Sequence, residues 1–266
     1  MDGLPATAVR MTESDRSISD LTSERPIAAK AYEYGRGHRI AAHAHAAAQL
    51  VYAVSGAMSV STDQGIWVVP PLRAVWIPPR CLHTVQMHAD VSMRTVYVVE
   101  EKAGIFERRC CVVSVSGLLR ELIVEATRFP ETYVLHGRYR LIVELLLGEL
   151  QTSPQAGLHL AEPGDRRLRQ ITESLKANPA DNRPLRCWAQ HANASERTLA
   201  RLFLKETGLT FAQWRQQARL LHATAMLAQG IPVTTIAIDL GYSTPSAFGS
   251  MFRRALGSAP SAFFCE

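Results

Sequence analysis

One helical unit occurs twice in the last hundred residues, and no other feature of the sequence narrows the fold as far. Leu199, Phe203 and Gly208 are spaced by four and five, and Phe248, Phe252 and Gly257 repeat that spacing 49 residues later. A short apolar stretch precedes each triplet. Leu185 to Ala192 carries Trp188-Ala189, and Val233 to Leu240 carries Ile236-Ala237 in the corresponding place, one residue further from its triplet. Each stretch runs into a tight break and then a polar helix opener, Ser195 in the first copy and Thr244, followed by Pro245, in the second. A short helix, a turn of three to four residues and a second helix burying apolar residues one turn apart make a helix-turn-helix, with a generic helical bundle as the alternative.

Between the copies the pattern predicts a helix from Thr210 to Gln229, opened by a T-x-x-Q capping box and stopped by Gly230 and Pro232. Twenty residues at about 1.5 Å each give a rod of roughly 30 Å, close to the ~34 Å between successive major grooves on one face of B-DNA. With Leu199, Leu202 and Phe203 turned inward, the first recognition helix presents Glu196, Arg197, Ala200 and Arg201 outward, with Ser195 and Lys205 at its ends. Arg197 and Arg201, one turn apart, are the leading base-contact candidates. The second offers Thr244, Ser246, Gly249 and Ser250, with Arg253 and Arg254 at its far end, a set suited to the DNA backbone. Charge agrees: Asp165 to Glu266 holds 13 Lys and Arg against 7 Asp and Glu, the rest of the chain 16 against 17.

These residues carry a resemblance. The stretch from Asp165 to Phe264 resembles the DNA-binding domain of the AraC/XylS family, whose signature stands here as SERTLARLFLKETG (Ser195 to Gly208) and IAIDLGYSTPSAFGSMFRRALGSAP (Ile236 to Pro260). The resemblance implies seven helices, two helix-turn-helix units on a linking helix, and sequence-specific promoter binding by a transcription factor, with RNA polymerase as a further contact. The family commonly has a basic residue where Ser250 stands and Tyr-Arg where this chain has Ala262-Phe263-Phe264, so the resemblance implies a weaker second unit.

The N-terminal half reads differently. From Ile40 to Glu100, short apolar runs such as Leu50-Val51-Tyr52-Ala53-Val54 alternate with turns such as Ser55-Gly56 and Asp63-Gln64-Gly65. Pro70-Pro71 and Pro78-Pro79 punctuate the later part of this region, and the pattern predicts a small antiparallel barrel or sandwich. The order Gly37, His43, His45, Gln49, Gly56 resembles the first cupin motif with Gln in place of Glu. Pro78 and His83 resemble the second, with Arg80 where glycine is usual. A neutral Gln49 removes the anionic ligand of the usual metal set, so no cofactor is assigned; a divalent metal on His43, His45, Gln49 and His83 is the candidate, weighed against ordinary pocket-lining histidines. The expected effector pocket comprises His43, His45, Gln49, Tyr52, Trp76 and His83, its small molecule unnamed.

Two apolar helical stretches follow, one with Leu118, Leu119, Leu122, Ile123 and Ala126, the other with Leu141, Ile142, Leu145 and Leu146. They suit packing on the barrel or a homodimer contact equally. The expected fold is therefore α+β in two domains: a flexible N-terminus (1–25), a cupin-like sensor (26–105), a helical packing or dimerisation segment (106–150), a linker (151–164) rich in breaks, and an all-α DNA-binding domain (165–266) with helix-turn-helix units at about 185–206 and 233–256 around the linking helix at about 210–229.

Five scattered cysteines without a CxxC pair argue against a disulfide framework or zinc ribbon and for reduced thiols in a cytosol. Met1 to Arg25 is polar, and no run approaches a membrane span, so a cytoplasmic protein without a membrane partner is expected. The leading function is a ligand-responsive, double-stranded-DNA-binding transcription factor, not an enzyme, regulating genes such as a neighbouring transporter. A metal-dependent cupin oxygenase or isomerase with a helical tail is the runner-up. A non-specific nucleoid-type binder comes third, because it would carry more charge.

Overall fold

The computed structural model describes residues 20–69, 72–105, 109–156, 159–256 and 259–263. Residues 1–19 of the N-terminal stretch, Pro70-Pro71, Gly257, Phe264 and Cys265 lie outside them.

Alternating or wholly apolar runs rich in β-branched residues form two antiparallel sheets. The six-stranded sheet orders β1 (Ile27–Tyr34), β8 (Val91–Val98), β3 (Ala48–Ser55), β6 (Arg73–Ile77), β9 (Cys111–Ser114) and β10 (Gln155–Ala156). The five-stranded sheet orders β11 (His159–Ala161), β5 (Gly65–Val69), β4 (Met58–Thr62), β7 (His83–Met87) and β2 (Arg39–His43). Strand β3 explains the layering. Its odd positions Val51 and Ala53 join Val60, Trp67, Val75, Val85 and Met93 between the sheets. Its even positions Leu50 and Tyr52 join Trp76, Val96 and Val113 under two helices, α1 (Gly117–Ala126) and α2 (Gly137–Thr152). A strand covered on both faces reads as one apolar run, as this one does.

The two helices pack on the sheet through Leu119, Leu122, Ile123, Ile142, Val143, Leu146 and Leu150. Leu118, Leu141 and Leu145, read from the sequence as part of the apolar faces, stay exposed.

The segment 151–164, read as a linker, is tied down. Thr152 ends α2, β10 pairs with β9, and β11 pairs with β5, so both strands satisfy backbone groups of sheet edges. A three-residue strand is too short to show a period. Gly65 admits β11: an added Cβ there would lie 2.3 Å from the Leu160 carbonyl oxygen.

Beyond it, six α-helices and a 3-10 turn (Pro260–Ala262) follow among the described residues: α3 (Arg166–Ala177), α4 (Leu185–His191), α5 (Glu196–Thr207), α6 (Phe211–Ala228), α7 (Val233–Asp239) and α8 (Pro245–Leu256). Both helix-turn-helix turns close the same way. In the first, Asn193 takes a left-handed φ of 47°, with Ala194 N–H donating to Ala189 O at 3.1 Å. In the second, Gly241 has φ 73° and Tyr242 N–H donates to Ala237 O at 2.9 Å. This is the Schellman pattern of a left-handed C′ residue after a helix. Gly241 is also forced by space, since a Cβ would meet the Ala180 carbonyl oxygen at 2.6 Å.

Candidate nucleic-acid interface and effector pocket

Helix α5 is split cleanly between a buried and an open face. Leu199 and Phe203 are wholly buried and Leu202 nearly so, while Glu196, Arg197, Ala200, Arg201 and Lys205 are exposed. Ser195 accepts from Thr198 N–H at 3.1 Å, which fixes the first turn, and Gly208 closes the helix in the left-handed region. Arg197, Arg201 and Lys205 repeat every four residues along the open face. Among the described residues, none of the three is paired with a carboxylate. Other cations of the domain are committed: Arg167 bonds Asp165, whose carboxyl it holds at about 2, and Arg183 bonds Asp181 while lying 4.0 Å over the Trp188 ring.

Helix α8 presents Thr244, Ser246, Ser250, Arg253 and Arg254 as exposed residues, with Gly249 half-buried. Thr244 Oγ1 accepts from Ala247 N–H at 3.1 Å, and Pro245 fills the first helical position. The eighteen residues of α6 between the units span about 27 Å. Its capping box is formed: Thr210 Oγ1 accepts from Gln213 N–H at 3.3 Å, and Thr210 N–H donates to Gln213 Oε1 at 2.9 Å.

In the sensor half the structure brings His43, His45 and His83 together, with one ring nitrogen of each within 4.8 Å of the others. Strands β2 and β7 place His43 opposite His83, with ring centroids 4.2 Å apart. Each Nδ1 faces a backbone carbonyl: Ala41 O at 2.9 Å, Ala47 O at 2.6 Å and Cys81 O at 2.9 Å. Carbonyls only accept, so each Nδ1 carries a proton, and in the neutral imidazole Nε2 then holds the lone pair. His83 Nε2 is buried without a hydrogen-bond partner, and burial pushes this imidazole down to about 3. Gln49 reaches the cluster through Oε1, 3.0 Å from His45 Nε2. Its amide orientation is fixed from behind, because Thr95 Oγ1 donates to Leu50 O and therefore accepts from Gln49 Nε2 at 2.9 Å. With His45 neutral and its proton on Nδ1, His45 Nε2 and Gln49 Oε1 are two acceptors, whereas a second proton on the ring makes the contact a hydrogen bond.

Tyr52 and Trp76, expected in the same pocket, lie elsewhere. Both pack under α1 and α2, because Tyr52 is three residues from Gln49 and side chains alternate along a strand, while Trp76 sits opposite Leu50. The cavity that does open beside His83 has a volume of about 790 Å³, and its polar lining includes Asp63, Arg80, Cys81, Glu100 and Glu101. Those residues come from the β4–β5 hairpin, the β6–β7 loop and a 3-10 helix (Glu100–Ile105), segments that no single motif joins.

Two family models match the chain, the AraC-like ligand binding domain over residues 29–108 and a helix-turn-helix domain over residues 188–265. The HTH-type transcriptional regulator NimR of Escherichia coli is 36% identical over 224 residues, covering 84% of this chain and 82% of that protein. The chain belongs to the AraC family. It is a DNA-binding transcriptional regulator with a ligand-binding domain ahead of its helix-turn-helix domain. The arabinose operon regulatory protein of Escherichia coli is 27% identical over 135 residues, 48% of this chain and 45% of that one. The solved structure of ToxT from Vibrio cholerae covers 90% of this chain and 98% of its own, at 10% identity and a TM-score of 0.38.

Within this AraC-family chain the two halves touch through residues that the sequence did not single out. Trp214 of α6 donates from Nε1 to Ala161 O of β11 at 2.9 Å, Lys176 of α3 bonds Glu162 at 2.7 Å, and Arg36 reaches Gln229 at 2.7 Å. Leu160 and Trp67 share a continuous buried cluster with Leu199, Phe203 and Trp214. An aromatic near the start of a long helix was the one available signal, and it names no partner. No helix among the described residues is long and apolar enough to cross a membrane.

Proposed function

We propose that this regulator reads bases in one major groove with Arg197 and Arg201 of α5 and takes its register from phosphates of the next groove with Thr244, Ser246, Ser250, Arg253 and Arg254 of α8. The observation that carries this reading is the pair of exposed, uncommitted arginines one turn apart, directly opposite a fully buried face. The span of α6 supports simultaneous contact. Footprinting on the operator should show two protected grooves per protomer, and Arg201→Ala should cost about 1–3 kcal/mol of operator affinity. Unchanged affinity would remove α5 from the readout.

The effector is assigned to the cavity beside His83, where β5 carries β11 and β11 receives Trp214, so a change at the cavity biases the seat of the first helix-turn-helix. A second copy of the chain is assigned to the exposed leucines of the helical layer: Leu141 and Leu145 are 67% and 47% exposed one turn apart on α2. Leu141→Glu with Leu145→Glu should give a monomer in sedimentation. The protein acts in the cytoplasm and is not an enzyme.

The three lone pairs and Gln49 Oε1 suit a divalent cation held by His43, His45 and His83. Calorimetric titration with Ni²⁺ or Zn²⁺ should give one site per chain, lost in His83→Ala. Oxygen uptake or isomerisation by the loaded protein would favour the enzymatic reading instead.

A further inference from the structure

Cys81 and Cys110 are 29 residues apart in sequence, and their sulfurs lie 3.7 Å apart. Cys81 lines the cavity and is half-buried, whereas Cys110 is buried behind it. The other described cysteines are placed differently: Cys111, one residue along, is turned to the opposite side of the sheet into the cluster under α1 and α2, and Cys187 belongs to α4 of the DNA-binding half. A pair of thiols in contact, with one open to a cavity and its partner sheltered, is the arrangement of an attacked and a resolving sulfur.

The loop that carries Cys81 holds the rest of the site. Arg80 takes a left-handed φ of 61°, its N–H donates to His45 O at 2.7 Å, and its guanidinium makes two bonds of 2.7 Å to Glu100. The Cys81 carbonyl accepts from His83 Nδ1 at 2.9 Å. A disulfide brings its sulfurs to about 2.05 Å, so closing this pair draws them together by roughly 1.7 Å and moves a loop bonded to two histidines and to the cavity wall.

We propose that Cys81 and Cys110 form a redox-sensitive dithiol that a small two-electron oxidant of the peroxide class closes to a disulfide, changing the pocket and through it the affinity for DNA. The Cys81 sulfur attacks the peroxide oxygen, giving a sulfenic acid and one water. The Cys110 sulfur then displaces the hydroxyl as a second water, so two thiols and one peroxide give one disulfide and two waters. Thiol reductants reverse the step, as befits a transient cytosolic bond.

The regulatory consequence rests on the DNA-binding reading above, whereas the bond itself does not. Full-length reduced protein is treated with one equivalent of hydrogen peroxide, digested without reductant and mapped by mass spectrometry, with operator affinity measured on the same samples. The expected result is a Cys81–Cys110 linked peptide, retained in Cys187→Ser, lost in Cys81→Ser and in Cys110→Ala, and reversed by dithiothreitol. Operator affinity should shift by about fivefold or more on oxidation of the wild type, and be the same before and after oxidant in Cys81→Ser. Absence of the linked peptide, or its formation with operator affinity unmoved, overturns the proposal. Reduced protein that binds no operator refutes the DNA-binding reading instead, and leaves the peptide map to decide the bond.

Discussion

The two helix-turn-helix units share spacing, turn geometry and capping, yet the molecule holds them differently. Leu199, Leu202 and Phe203 of the first belong to the cluster that runs through Trp214 and Leu160 into the space between the sheets. Phe248, Met251 and Phe252 of the second close a separate cluster with Ile236, Ala237, Leu240 and the far end of α6. The same local code therefore yields one unit built into the sensor and one carried at the end of a rod. Position relative to the ligand-binding half, rather than sequence of the unit, decides which of them is packed against it.

The largest test of that contrast is a pair of core truncations. Phe203→Ala and Phe248→Ala each remove a wholly buried ring, at about 3–5 kcal/mol. Denaturation followed by hydrogen exchange should show Phe203→Ala loosening β5 and β11 as well as α5, whereas Phe248→Ala opens α7 and α8 alone. Equal spread from both would erase the distinction. Next in size are the arginines: against the 1–3 kcal/mol expected at Arg201, Arg253→Ala should weaken all sequences alike and lower the salt slope by about one. A base-specific loss at Arg253 would reverse the assignment of roles.

A smaller effect is expected at the joint itself. Trp214→Phe keeps the ring packing but leaves the Ala161 carbonyl without its donor, costing about 1 kcal/mol and reducing the response of operator binding to effector. Retention of the full response would show that the first unit is driven by another contact. The caps come last. Ser195→Ala should cost about 1 kcal/mol by thermal melting, and Thr244→Ala less, because Pro245 already presets the first turn of α8.

The sequence was most informative where structure is local. The spacing of Leu199, Phe203 and Gly208, the T-x-x-Q box and the polar openers at Ser195 and Thr244 each act within one or two turns of helix, and each stands as expected. His43 and His45 do meet, but not as neighbours on one strand: β2 ends at His43 and His45 stands in the loop before β3, so the path of the chain rather than strand alternation brings them together. Tyr52 and Trp76 do not line the pocket, and the parity of Tyr52 with Gln49 already separates those two; but β3 is apolar on both sides, so hydrophobicity alone could not label its faces. The strands hidden in 151–164 had no period to display, and Leu141 and Leu145 resemble their buried neighbours in everything but the direction they face.

By itself, then, the sequence determined the units: helices with their starts and stops, and a duplicated motif whose first copy has a basic open face. Tertiary structure alone decided which sheet β10 and β11 complete, that Cys81 meets Cys110, and that Trp214 ties the first unit to the sensor. Periodicity and capping arise from forces that reach a few residues along the chain. The pairing of segments dozens of residues apart is set by which surfaces can be buried together once all of them are present.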